Sequence, residues 1–379
     1  MKEENRRYAE EAFEIVEHAA KKIGSRLPGS DGEKEYAAYM GDKLRSIGIE
    51  PVREEFAVSP RASIGGIPYA GYLGLIMSAL VYVALHLSAV WYGMALASVV
   101  CWVWLILSVF LYKTWFDMFF KQEISQNTYG ELLPPDGKYD YTIILSGHTD
   151  TSWCWRHSAH ASKFKKTKPA MGLVATFAKV GFGVICFLFL TAVSIAMTVI
   201  SSGVYFGEVW ALKIANSASF ANFLFAMHFL PVVTAIGCMF VVMWADPNPR
   251  NASRGAMDNA TGCALSFAVT KYFHDHPEKM PKNCRIIDFN CGSEEAGLRG
   301  SIAFTREHKG EPILENTWNI NIDSVADKDF FEVVIKDDWQ FCRFDTDLEK
   351  MFKDTFNELG IVSKTNGCIH NPVGGCDST

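Results

Sequence analysis

Two stretches of this chain are almost free of charged side chains, and they divide everything else. From Ala62 to Tyr112 there is no Asp, Glu, Lys or Arg. One membrane span needs about 20 apolar residues, so the run has room for two spans and a tight connection. The pattern places the turn at His86–Gly93, where Trp91 and Tyr92 suit a membrane interface. Val180 to Gly207 is uncharged as well; Glu208 and Lys213 mark a short connection, and Ile214 to Ala245 is uncharged again. That second region reads as a second hairpin, with His228 and Pro231 predicting a kink in its last span.

Outside these runs the periodicity changes. Phe13, Val16, Ala19 or Ala20, and Ile23 recur at helical spacing over 8–23. Arg26-Leu27-Pro28-Gly29-Ser30 breaks the pattern, and a second helix runs from Gly32 to Ile47, stopping at Gly48. Strands are expected at Pro51–Val58, Asn127–Leu133, Tyr141–Ser146, Arg285–Asn290 and Trp318–Ile322, and helices at Asp258–His274 and Asp345–Leu359. Strands alternating with helices predict an α/β fold: a mostly parallel sheet with helices on both faces, interrupted by two transmembrane helical hairpins. The expected organisation is a catalytic domain split into three segments, over 1–61, 113–179 and 246–379. The first hairpin, over 62–112, and the second, over 180–245, separate them.

Composition agrees with this division. Apolar residues make up 49%, charged residues 21%, and mean hydropathy is +0.07; the apolar excess sits in the two uncharged runs. A net charge of −6 gives no reason to expect a nucleic-acid partner. The ten cysteines are scattered, and Cys101, Cys186 and Cys238 lie inside apolar runs, so they read as reduced thiols rather than a disulfide framework. The opening Met1–Arg7 leads into a charged amphipathic helix, without the apolar core of a secretory signal.

Three of the expected strands end in chemistry. They lead into Ser146-Gly147-His148-Thr149-Asp150, into Cys291-Gly292-Ser293-Glu294-Glu295, and into Asp323-Ser324. Sites in open α/β sheets form outside the carboxyl ends of strands. Imidazole and carboxylates converging there make a nitrogen-and-oxygen site suited to zinc or a similar divalent ion. A further carboxylate, Asp258, is expected to open a helix, within Gly255-Ala256-Met257-Asp258-Asn259-Ala260-Thr261-Gly262. Each motif alone is weak; their order and strand-end placement are much more specific.

Taken together, these strings resemble the co-catalytic di-zinc aminopeptidase family of aminopeptidase Y and the bacterial leucyl aminopeptidases. The matching residues are Arg26–Ser30, Gly147–Asp150, Ala256–Gly262, Glu294–Ser301, Asn321–Asp323 and Gly374-Gly375-Cys376-Asp377-Ser378. The resemblance implies a zinc-dependent exopeptidase acting on peptides. In it His148 and Asp323 bind one zinc, Asp258 bridges two and Glu295 binds the second. Glu294 is the general base toward a metal-bridging water, and Asp150 orients His148. The family's last ligand, a histidine downstream of the Gly-Gly-x-Asp-Ser string, has no counterpart before Thr379, so two zinc ions are expected with the second site incomplete in this chain. Upstream of that string, His370 reads as a solvated loop histidine.

His148 and Asp258 lie on opposite sides of the second apolar run, so a shared metal requires that run to cross a membrane an even number of times. Basic residues flank the catalytic side (Arg53, Arg61, Lys113, Lys121, Lys163, Lys165, Lys166, Lys168, Lys179, Arg250, Arg254), whereas the opposite loops hold only Lys213. The expectation is a multi-pass protein of the cell membrane with a cytoplasmic catalytic domain and a lipid bilayer as partner; oligomeric state is not legible. Cys154, His157 and His160 lack a fourth ligand and read as a juxtamembrane loop. Two rival functions stay open: a catalytically silent receptor or scaffold, and glutaminyl cyclase-like acyl chemistry on the same fold.

Overall fold

The computed structural model describes residues 3–154, 169–244, 253–325, 331–337 and 340–367. It divides into two compact units. The first comprises Met1–Ile64, Ser108–Trp153 and Asn248–Thr379; the second comprises Gly65–Leu107 and Cys154–Pro247.

The first unit is built on a five-stranded sheet of β1 (Val52–Val58), β2 (Glu123–Leu132), β3 (Tyr141–His148), β4 (Cys284–Cys291) and β5 (Thr317–Asn321), in the order β1-β2-β4-β3-β5. β3 pairs in parallel with β4 and β5, but β2 pairs antiparallel with both β1 and β4. The sheet is therefore mixed, and the expectation of a mostly parallel sheet is corrected. The reason is local: Val58 lies opposite Glu123, so the chain leaves β1, runs through the first apolar segment and returns beside the point it left. A strand that returns beside its predecessor pairs with it antiparallel; parallel pairing needs a crossover to the far end.

Helices cover both faces. On one face, α1 (Glu3–His18), α2 (Asp31–Ser46) and, later in the chain, the helix over Thr261–Asp275 pack together through Ile15, Tyr36, Met40, Leu44, Cys263 and Phe267, all fully buried. Burial of each large apolar side chain there contributes about 1.5–3 kcal/mol. On the other face, Tyr129, Ile144, Ile287, Phe289 and Cys291 pack against Phe304 of the helix Arg299–Glu307. All eight β4 residues are buried, as the central position requires. β2 begins four residues earlier than predicted because Ser125 and Gln126, polar in sequence, are buried strand residues. A second sheet pairs β6 (Phe331–Asp337) antiparallel with β7 (Cys342–Arg343) and parallel with β8 (Ser363–Gly367).

Asp288, inside β4, is fully buried, and its side chain accepts a hydrogen bond from Asn290 Nδ2 at 2.9 Å. Burial pushes its pKa up to about 8. The folded state therefore holds a proton that the unfolded chain releases near pH 4. This group's contribution to stability is complete below about pH 4 and is lost as pH rises to about 8. Asp288→Asn is expected to flatten that decline, and thermal unfolding of both proteins between pH 5 and 8 measures it. Parallel pH profiles would show that Asp288 is already ionised in the fold.

The second unit is helical: α3 (Ile67–Ala84), α4 (Ala89–Trp104), α5 (Pro169–Tyr205), α6 (Val209–Ala215), α7 (Ala218–Ala226) and α8 (Leu230–Val242). Three of its apolar stretches, Ile64–Ala84, Ala89–Phe110 and Ala178–Tyr205, are long and apolar enough to cross a membrane. The turn between α3 and α4 lies at Leu85–Ser88, so Ala89–Gly93 of the turn predicted at His86–Gly93 belong instead to α4. In place of one fourth helix, α7 and α8 meet at a 49° bend, with Pro231 in the first turn of α8. Proline lacks the N–H that a continuous helix would need at this position. Small residues carry the packing: Ser78 Oγ and Thr234 Oγ1 are 2.9 Å apart between α3 and α8.

In chain order after α8 come α9 (Thr261–Asp275), α10 (Arg299–Glu307) and α11 (Thr346–Glu358). Asp258 does not open α9. It lies in a separate turn with extended backbone (φ −116°, ψ 96°), and α9 starts at Thr261. Asn259 is the cause: its Oδ1 accepts from Gly262 N at 3.0 Å, and its Nδ2 donates to Ile322 O at 2.9 Å. The side chain thus caps the helix three residues on, leaving Asp258 outside it.

Candidate metal centre and active site

The predicted residues reach one place from four elements. His148 is the last residue of β3, Glu294 and Glu295 follow β4, Asp323 follows β5, and Asp258 sits in the turn before α9. His148 is 1% exposed; its Nε2 lies 3.0 Å from Asp258 Oδ1, 3.9 Å from Asp323 Oδ2 and 3.9 Å from Glu294 Oε2. Donor atoms of His148, Asp258 and Asp323 all lie within 4.8 Å of one another. Glu295 is buried behind them and is not among those three donors. His157, His160, Lys163–Lys168, Arg250, His370 and Gly374–Ser378 lie outside the described residues.

Asp150 ties two of these elements together. Its Oδ1 faces His148 Nδ1 at 3.3 Å and accepts from Glu294 N at 2.9 Å, while Oδ2 accepts from Glu295 N at 2.9 Å. A carboxylate on Nδ1 fixes the ring so that Nε2 is the free donor. Asn259 makes a second tie, since its Oδ1 also accepts from Ser324 N at 3.3 Å, beside Asp323. Gly262 is required here, because a Cβ would strike the Ile322 carbonyl oxygen. Gly297, at φ +92°, lets the loop after Glu295 turn back over Ser63.

The electrostatics fit a cation. Five carboxylates (Asp150, Asp258, Glu294, Glu295, Asp323) gather about one imidazole. Burial lowers the His148 pKa, but Asp150, Asp258 and Glu294 outweigh it and raise it well above the ordinary value. Burial first, then the charges of Asp258 and Asp150, push the Glu295 carboxyl well above its usual range. Arg26, the buried cation nearby, acts on Asp258 through its charge but gives its hydrogen bonds to carbonyls: its Nε donates to Thr149 O, Nη1 to Gly24 O and Arg254 O, and Nη2 to Gly255 O. One imidazole nitrogen with clustered carboxylate oxygens is a donor set suited to zinc. The residues present therefore fit the metal that the motifs imply.

Two residues of the site's framework went unread as such in the sequence. Arg26, fully buried, holds both the chain leaving β3 and the turn that leads to Asp258, with its guanidinium 4.7 Å over the Tyr36 ring. Glu33, also fully buried, accepts from Gly29 N (2.6 Å), Ser125 Oγ (3.0 Å), Ser293 N (2.7 Å) and Ser293 Oγ (3.0 Å), so it holds the loop that carries Glu294. Burial and the Asp150 charge push the Glu33 pKa up to about 8, against these donors. The available signal was the capping pattern of Ser30 and Glu33 three residues apart at a helix start.

Comparison with known proteins follows the same lines. Residues 239–366 match the model of peptidase family M28, and this stretch contains Asp258, Glu294, Glu295 and Asp323. No curated protein matches the chain. Among solved structures, the zinc aminopeptidase BSAP from Bacillus subtilis aligns at 12% identity, over 95% of this chain and 80% of that one, with a TM-score of 0.46. A glutaminyl cyclase from Bacteroides thetaiotaomicron aligns at 12% identity, over 95% and 76%, with a TM-score of 0.43. An aminopeptidase from Aneurinibacillus sp. strain AM-1 aligns at 11% identity, over 87% and 74%, with a TM-score of 0.40. The match over 239–366 makes this part of the chain similar to peptidase family M28, and it carries four of the residues that face the site.

Proposed function

We propose that the chain is a membrane-embedded aminopeptidase, with His148, Asp258, Glu295 and Asp323 as zinc ligands and Glu294 as general base. The observation that carries this reading is the Nε2 of a buried His148 facing Asp258, Asp323 and Glu294 within 4 Å. Zinc held there supplies Lewis-acid polarisation of the scissile carbonyl and lowers the pKa of bound water. Glu294 takes a proton from the attacking water and returns it to the leaving amine. Asp150 keeps the His148 ring turned and, through the two amides, keeps Glu294 in reach of the substrate. Asp258 would hold zinc together with His148 and Asp323.

Membrane insertion of the two apolar segments supports the same site. Each run begins and ends beside the same region of the first unit: Val58 pairs with Glu123 across the first, and His148 meets Asp258 across the second. Chain ends that return to one place fit an even number of crossings. The excess of basic residues flanking the apolar runs supports a cytoplasmic catalytic unit.

Hydrolysis of aminoacyl anilides by the purified full chain tests the function. Activity is expected to vanish with a zinc chelator and to return on adding zinc. A chain that binds no zinc and cleaves no aminoacyl substrate would sink this reading; cyclisation of N-terminal glutamine without hydrolysis would replace it with the cyclase reaction.

A further inference from the structure

Nine residues between the first apolar helix pair and β2, Lys113-Thr114-Trp115-Phe116-Asp117-Met118-Phe119-Phe120-Lys121, carry an exposed apolar face. Trp115 is 68% exposed, Met118 75% and Phe119 74%. Three large apolar side chains within five residues are far outside the ordinary scatter of exposed apolar residues on a water-facing surface. Lysines that are themselves exposed bracket them at both ends.

The face is held in place from behind. Arg299, 3% exposed, donates from Nη1 to Tyr112 O at 2.9 Å and from Nη2 to Asp117 Oδ1 at 2.9 Å. Ser59 Oγ donates to Asp117 O at 2.9 Å, and Gln340 Nε2 donates to Phe110 O at 2.7 Å. With Asp117 and the backbone turned inward, the aromatic and thioether side chains have only the outside to face.

We propose that Lys113–Lys121 is an interfacial anchor that docks on a lipid bilayer. Trp115, Met118 and Phe119 enter the headgroup–acyl boundary, and Lys113 meets anionic headgroups, while Lys121 at the other end pairs with Glu123. The inference rests on the reading of the preceding helix pair as membrane-spanning. Two observations select lipid as the occupant. The segment starts three residues after the 22-residue apolar stretch Ala89–Phe110, which fixes its depth near the bilayer surface. Its composition, aromatic and apolar side chains between lysines, is that of an interface-lying segment. The same segment touches the catalytic loop, because Arg299 is fixed on one side by Tyr112 and Asp117 and on the other by Gly297 O at 3.2 Å. The anchor thereby sets the Glu294–Glu295 loop at a fixed height above the bilayer.

The test places a fluorescent amino acid at position 118 of the full chain in nanodiscs of phosphatidylcholine and phosphatidylserine. Nitroxide groups are carried by the lipid either near the headgroup or at the acyl end. The probe at 118 is expected to lose most of its emission to the headgroup nitroxide, whereas one at 136, exposed between β2 and β3, keeps its emission. A probe at 96, exposed on α4, reports the helix pair separately through the acyl-end nitroxide. Quenching at 96 without quenching at 118 would overturn the anchor and leave the spanning helices standing. No quenching at either position would overturn both. A probe at 118 shielded in proportion to protein per disc, and indifferent to nitroxide depth, would assign the face to a second copy of this chain and overturn lipid docking.

Discussion

Glu294→Gln is expected to lower kcat by about 10²–10⁴-fold, the usual worth of a positioned general base, with the zinc content unchanged. The argument is geometric. Glu294 Oε2 lies 3.9 Å from His148 Nε2, on the edge of the donor cluster rather than in it. Its backbone N–H is held by Asp150, so glutamine keeps the loop and the volume and loses only the ability to take a proton. Metal analysis beside steady-state kinetics separates the roles of the two neighbouring glutamates: Glu295→Gln is expected to lose zinc, and Glu294→Gln to keep it. Near-normal turnover in Glu294→Gln with full zinc would mean that another group is the base.

Arg26→Ala carries the largest expected effect on assembly, a loss of about 3–5 kcal/mol. The side chain donates to four carbonyls, of Gly24, Thr149, Arg254 and Gly255, and no other cation among the described residues is placed to replace it. Truncation leaves these acceptors buried and unpaired, and it frees the two chain ends that bring His148 and Asp258 together. Arg26→Lys is expected to recover only a fraction, since an ammonium cannot reproduce the planar fork. Thermal unfolding with and without added zinc gives the readout: the variant loses both stability and the upward shift that zinc confers on the parent. An Arg26→Ala protein with unchanged melting and zinc response would show that the carbonyls are satisfied without it.

The elements of this fold that were legible in sequence are those whose signal is one-dimensional. The apolar run Tyr141–Ser146 and the dense apolar run of β4 marked the two central strands, and His148, Glu294 and Asp323 follow their strands directly. Uncharged length marked the helices of the second unit. Pairing direction was not legible, because alternation along β2 is the same whichever way its neighbour runs; only the return of the chain to Val58 decides it. The start of β2 was hidden by Ser125 and Gln126, whose polar side chains belong on a surface by composition, whereas the fold buries them. The Asp258 turn was read as helix because nothing in the string Asp-Asn-Ala-Thr-Gly shows that Asn259 turns its amide to Gly262 and Ile322. Arg26 and Glu33 were visible as residues and invisible as ties, since the partners they tie, Thr149 and Arg254 for one and Ser125 and Ser293 for the other, lie more than 90 residues away.

The strand order also sets a timetable for synthesis. β3 pairs only with β4 and β5, both later in the chain, and Tyr141 faces Cys284. At about 5–20 residues per second, a ribosome needs on the order of ten seconds or more to deliver β4 after β3. For that interval Tyr-Thr-Ile-Ile-Leu-Ser-Gly-His waits with both edges open, while an apolar segment passes through the exit tunnel. β1 and β2 can already be joined, but the central ladder can close only once residue 291 has emerged, and the proposed metal ligands can meet only once Asp323 has. Nascent chains stalled before β4 are therefore the form in which this protein is most exposed to wrong strand pairing, and in which a holding chaperone has most to shield.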